Sequence, residues 1–174
     1  MHYNIALIPQ TKSHEFIQLA NTFSFLANNY LLGPRSLPHV TLCQFYAETN
    51  EIDILWQKVC AALLPSPIEL LFTEWSFVTI NSLFWVSLLP STRDFRGQVP
   101  LMSTLIKQMI KQSAHKWHLT PSSYDPHLTL LNTKQKDYKN TVTSLQTNPI
   151  HIIDTFQVCL GRSDEVGQLI EIVK

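Results

Sequence analysis

Pro38-His39-Val40-Thr41-Leu42 returns as Pro126-His127-Leu128-Thr129-Leu130, with the two histidines 127 − 39 = 88 positions apart in a chain of 174 residues. A repeat at half the chain length predicts two similar lobes, each bringing one His and one Thr to a shared place. Strand side chains alternate between faces. The first copy, read as a strand, therefore turns His39, Thr41 and Cys43 one way and sends Val40 and Leu42 into the core. The second copy pairs His127, Thr129 and Leu131 on one face, with Leu128 and Leu130 on the other. With 7 His, 15 Thr and 24 Leu, composition alone gives roughly 0.1 His-x-Thr-Leu per chain, too few to account for two. A third His-x-Thr, His118-Leu119-Thr120, runs directly into Pro121, which argues against a mid-strand position.

Working outward, Tyr3 to Pro9 reads as a first strand. Lys12 to Asn29 reads as a helix with Phe16, Leu19, Ala20, Phe23 and Leu26 at helical spacing and Ser13 as N-cap. The first motif strand spans His39 to Ala47, and a helix follows over Glu51 to Leu64. Two strands between Ile68 and Pro90 are joined near Asn81-Ser82. A helix over Gln98 to Lys116 has Leu101, Leu105, Ile106 and Met109 on one face. The second motif strand covers His127 to Asn132, a further helix Asp137 to Gln146, and late strands Ile150 to Leu160 and Gly167 to Val173. Interspersed hairpins and helices predict an α+β fold rather than a doubly wound parallel sheet. No Gly-rich or Ser-rich linker divides the chain. It reads as one domain, 1–174, made of two fused lobes (roughly 1–87 and 88–174) between which strands can exchange.

Hydrophobic residues at 45% and charged residues at 15% fit a soluble globular chain with a filled interior. No apolar run approaches the roughly 20 residues of a membrane span, and the first residues lack the pattern of a signal peptide. Cys43, Cys60 and Cys159 are odd in number and form no Cys-x-x-Cys, so neither a disulfide framework nor a zinc knuckle is expected. A cytoplasmic monomer is the expectation. Thirteen basic residues balance thirteen acidic ones, which disfavours duplex DNA as a partner but allows a small nucleotide or an RNA end.

Two facing histidines can act as general base and general acid near neutral pH, and two threonines beside them can hydrogen-bond an anionic oxygen. His39 and His127 are therefore the candidate catalytic residues, and Thr41 and Thr129 the candidate phosphate-binding ones. Metal binding is the rival use of the histidines. Only Asp125 and Cys43 stand near enough in sequence to complete a site, and no ligand spacing supports them, so no metal or other cofactor is expected. Cys43 as a nucleophile is discounted in favour of a small core residue. Tyr124 and Arg35 are weaker candidates for contacting substrate. Phe84 and Trp85, on an apolar central strand, read as core. Lys134, Lys136 and Lys139 read as a solvated helix face.

Paired His-x-Thr-hydrophobic motifs half a chain apart resemble the 2H phosphoesterase superfamily, which includes the 2′,3′-cyclic phosphodiesterases often labelled 2′-5′ RNA ligases. Tyr124-x-Pro126-His127-Leu128-Thr129-Leu130 is similar to the second signature of that family, and Phe84-Trp85-Val86-Ser87-Leu88 to its apolar central strand. The resemblance implies a bilobal, pseudo-twofold α+β fold. Two antiparallel sheets would form a central cleft holding both histidines, with helices outside. It also implies hydrolysis of a cyclic phosphate or related phosphodiester on a nucleotide or RNA end, without metal. A nucleotide-binding sensor of the same fold and a 3′-5′ RNA-trimming exonuclease are the alternatives. Cys43-Gln44-Phe45-Tyr46 lacks the glycine that commonly follows the first motif in the bacterial RNA-ligase-like branch. Asn132 stands where that branch often has Arg. The repeat thus points to a reaction more sharply than to a substrate.

Overall fold

Strand β1 (His2–Pro9) is buried on both faces and lies inside the sheet, flanked by β3 (Val40–Tyr46) and β7 (Ile152–Ser163). The structure is a computed structural model that describes residues 1–33, 35–63, 67–80, 82–91, 98–113, 126–134, 149–165 and 167–174. The remaining described strands are β2 (Tyr30–Leu31), β4 (Ile68–Ile80), β5 (Leu83–Pro90), β6 (Leu128–Thr133) and β8 (Leu169–Ile172). All eight belong to one hydrogen-bonded antiparallel sheet: seven follow the order β1-β3-β6-β5-β4-β7-β8, β2 pairs with β6 off this path, and the β1–β7 pairing closes the path on itself. The fold is thus mixed α+β.

The expected pair of sheets is joined at two places. β4 changes partner along its length: Ile68 to Phe72 pair with β7, and the stretch from Phe72 to Ile80 pairs with β5 across a register shift at Thr73. β3 and β6 meet through a single residue pair, Val40 and Leu128. The pairings also cross the midpoint of the chain, since β7 lies against β1.

Three described helices accompany the sheet: α1 (Ser13–Thr22), α2 (Ile52–Leu63) and α3 (Gln98–Ser113). A 3-10 turn at Thr49–Glu51 with a capping box at Glu48 and Glu51 leads into α2. The start of α1 differs from expectation. Lys12, not Ser13, is the N-cap, and no side chain of the helix caps it. Asp154 of β7 instead holds the two residues that lead into the helix. Its Oδ2 accepts the backbone N–H of Thr11 (3.1 Å) and of Lys12 (2.7 Å), and its Oδ1 accepts the Thr11 hydroxyl at 2.7 Å. α1 also ends at Thr22, and residues 23 to 27 continue in tight i to i−3 turns. On α3 the buried positions are Val99, Ser103, Ile106 and Ile110, while Leu101 and Leu105 face outward. The apolar face is thus rotated from the one expected, because Ser103 is turned inward by its bond to β3. The expected helix over Asp137 to Gln146 and the third His-x-Thr lie outside the described residues.

One large core runs through β1, β3, β4, β6, β7 and the three helices, with Phe16, Phe72 and Phe156 in mutual edge or tilted contact. A smaller core of Phe23, Leu26, Phe84, Val86 and Leu131 lies on one face of β5 and β6. Trp75, Phe77 and Phe84 stack in a row beside it at centroid spacings of 6.1 Å. Both cores leave the opposite sheet face to the motif residues. No helix among the described residues is long and apolar enough to cross a membrane.

Candidate functional site

Val40 and Leu128, both fully buried, are the residues through which the motif strands pair. Their antiparallel register, carried one step either way, sets His39 across from Thr129 and Thr41 across from His127. The four motif side chains are thereby related by an approximate twofold axis through the Val40–Leu128 pair. Each histidine stands just before its strand begins. The preceding Pro38 and Pro126 have no N–H to extend the ladder, so it opens there.

Each motif strand carries a β-bulge at its leucine. Ile5 pairs with Cys43 and Ala6 with Thr41, leaving Leu42 as the extra residue. Val86 pairs with Leu131 and Ser87 with Thr129, leaving Leu130 extra. A bulge advances strand alternation by one. Cys43 and Leu131, expected beside the histidines, are therefore turned into the cores. Gln44 and Asn132 take their places on the site face, each five residues after its histidine. Both bulges leave a carbonyl that the strand ladder does not use, and both are satisfied. Leu42 O accepts the Ser103 hydroxyl of α3 at 2.6 Å, and Leu130 O accepts the Leu32 N–H at 2.8 Å.

His39 is 8% exposed, and each of its ring nitrogens meets a backbone carbonyl: Nδ1 lies 2.7 Å from Leu37 O and Nε2 3.3 Å from Gly167 O. The shorter contact assigns the Nδ1 proton to Leu37 and leaves Nε2 as the nitrogen toward the site. In that neutral tautomer Nε2 has no proton to give Gly167 O, and the 3.3 Å contact becomes a hydrogen bond only in the imidazolium form. Burial pushes the pKa of His39 below its ordinary value. The two carbonyls and Asp164 pull it up, His127 pushes it down, and burial prevails. His127 is half-buried, as are Thr41 and Thr129, and Thr129 Oγ1 accepts the Ser87 hydroxyl at 3.5 Å.

Gly167 belongs to a turn spanning Asp164 to Gln168, with φ of +88°. Its carbonyl also accepts the Asn4 side-chain N–H at 2.8 Å. The positive φ is what favours glycine here; a Cβ would also come within 2.9 Å of Gln44 Oε1, the movable end of that side chain. Leu169, just beyond, packs with Ala6 and Cys159.

Of the other expected contacts, Arg35 is exposed in the turn between Gly33 and Ser36, and no described contact links it to the motifs. Tyr124 lies outside the described residues. Phe84 is core as expected, at 5% exposure. Trp85 is not: as the register partner of Asn132, two residues from Ser87, it shares the site face. Neither family models nor curated proteins match this chain. Among the described residues, no group of three or more His, Cys, Asp or Glu is arranged to hold a metal ion.

Sequence reasoning missed Gln44, Asn132, Ser87 and Gly167. A signal for the first two was present, since the repeat extends two residues beyond the leucine and ends on a carboxamide in both copies. Ser87 and Gly167 have no such signal. They reach the site through strand pairing and a distant turn.

Proposed function

We propose that this chain is a phosphodiesterase of the 2H type, opening a cyclic phosphate or related phosphodiester on a nucleotide or RNA end. The observation that carries the reading is the Val40–Leu128 pairing, which sets two His-x-Thr motifs about one approximate twofold axis on a single sheet face. In this reading the closed sheet is the bilobal fold of that superfamily, with β3 and β6 lining its cleft.

The neutral imidazole of one histidine would take a proton from a water whose oxygen attacks phosphorus. As that P–O bond forms, the P–O bond to the ribose oxygen breaks on the opposite side. The other ring, as imidazolium, would protonate the departing oxygen. Burial of His39 favours its neutral form and suits it to the base role, although the macroscopic pKa values belong to the pair. Nδ1 held by Leu37 O keeps the ring in the tautomer that this role requires. Hydroxyls of Thr41 and Thr129 would stabilise charge on the non-bridging oxygens, as an oxyanion hole does. Substrate would displace the weak Gly167 contact at Nε2. The mechanism needs no metal, and a cytoplasmic monomer acting on a neutral-surface-compatible small substrate fits the charge balance.

The test is incubation, in EDTA, with 2′,3′-cyclic nucleotides, RNA ending in a cyclic phosphate, 2′,5′-linked oligoadenylate and linear 3′-hydroxyl RNA. His39→Ala serves as control. Turnover of a cyclic phosphate, abolished in the control, supports the reading. Turnover of none overturns it, and if nucleotides still bind, the sensor reading replaces it. Shortening of the linear RNA favours the exonuclease.

A further inference from the structure

The two motif strands match step for step, but their surroundings do not. On the β1–β3 side the chain covers its own site face. Gly167 O meets Asn4 and His39, Gly167 lies against Gln44, and Leu169 packs on Ala6 and Cys159. On the β5–β6 side the sheet continues outward in register. Thr129, Ser87 and Ser76 form a polar row level with the motif, and Asn132, Trp85 and Val78 form the next. Trp85 is half-buried, while Val78 and, one row further, Ile80 are 46% and 53% exposed. A second observation marks the same row. Trp85 Nε1 and Asn132 Nδ2 are buried donors with no hydrogen-bond partner among the described residues, while Asn132, itself fully buried, accepts the Asn29 side-chain N–H on its Oδ1 at 2.9 Å.

We propose that Trp85, with Val78 beside it and Asn132 across from it, is the platform that receives the nucleobase of the substrate. The proposal rests on the phosphodiesterase reading and fixes the orientation of the substrate within it: phosphate between the histidines, base over β5. Trp85 lies two residues beyond Ser87, about 6.7 Å along the strand. That is a span a ribose ring can bridge between a phosphate and its base. The covered β1–β3 half leaves no equivalent place on the other side. A flat, neutral group suits this row, because burying a second phosphate between apolar side chains without a cation would be costly. A base offers a π face to the indole and carbonyl or ring-nitrogen acceptors to the two unsatisfied donors.

The test compares kcat/KM on cytidine 2′,3′-cyclic phosphate and on ribose 2′,3′-cyclic phosphate, which lacks the base, for wild type, Trp85→Ala, Trp85→Phe and Val78→Asp. The nucleotide-to-ribose ratio is expected to fall about 5- to 150-fold in Trp85→Ala, the range of a base–aromatic stack, chiefly through KM. Phe should restore part of it. Val78→Asp, at an exposed position, should lower the ratio in the same direction in a variant that keeps its fold. A wild-type ratio in Val78→Asp and Trp85→Ala, including an equal loss on both substrates, overturns the platform. If wild type hydrolyses neither compound, the phosphodiesterase reading fails separately. Calorimetric titration with cytidine 3′-monophosphate then decides the platform: weaker binding to Val78→Asp than to wild type supports it, and equal or undetectable binding overturns it.

Discussion

The β1–β3 half and the β5–β6 half carry the same heptapeptide pattern, the same bulge and a carboxamide at the same step, yet they are flanked by different neighbours. In the first, Asn4 stands beside Gln44 and the Asp164–Gln168 turn lies across both. In the second, the corresponding neighbour of Asn132 is Trp85, with Val78 exposed beyond it. The difference teaches that a repeated motif can be placed symmetrically by strand pairing while its two copies receive different neighbours.

The largest expected effect tests what the halves share. His39→Ala and His127→Ala should each lower kcat/KM on a cyclic nucleotide by about 10² to 10⁴, and the double variant should lose far less than the product of the two. Threonine variants, Thr41→Val and Thr129→Val, should lose less than either histidine variant. A large loss in only one histidine variant would break the comparison at its centre.

The next two predictions separate the halves by stability. Gly167→Ala should destabilise the chain by about 1–3 kcal/mol, read from a urea midpoint, because alanine is strained at positive φ and its Cβ meets Gln44. Ser103→Ala should also cost about 1–3 kcal/mol, since it leaves the buried Leu42 carbonyl without its partner. The Leu130 bulge is held instead by the backbone N–H of Leu32, so no side-chain deletion can produce that effect on the second strand.

The smallest effect is a pH dependence. The pKa of His39 is lowered in the folded state, so the unfolded chain binds more protons as pH falls through the ordinary histidine range of about 6.5. Stability is therefore full above that range and declines as pH drops through the folded-state value. His39→Gln should flatten this decline in thermal melts. Asp154 gives the same sign in the carboxylate range. Burial raises its pKa, but hydrogen bonds from the Thr11 hydroxyl and the backbone of Lys12, Thr11 and Thr155 hold it below normal. A decline confined to the carboxylate range would deny His39 its part.

Much of the architecture was legible because strand and helix periods are local. β1, the β4–β5 hairpin and both motif strands follow from alternation and turn residues close to where they were expected. The misplaced features depend on distant partners. Ser13 is the first residue of α1 and not its cap, and the approach through Thr11 and Lys12 is held by Asp154, more than 140 residues away. Leu101 and Leu105 face outward because Ser103 is anchored inward. Trp85 was read as core from its apolar strand, and only its pairing with Asn132 shows which face it occupies.

By itself the sequence determined that two His-x-Thr strands exist and that their leucines and valine seek the core; proton transfer around an anion is the chemistry we propose for them. Only tertiary structure decided which side chains stand beyond the threonines and what flanks each motif strand. The physical reason is that alternation is fixed by backbone geometry within a few residues, whereas a bulge must be supported by groups elsewhere in the chain. Leu42 O is supported from 61 positions away, and Gly167 reaches His39 across 128.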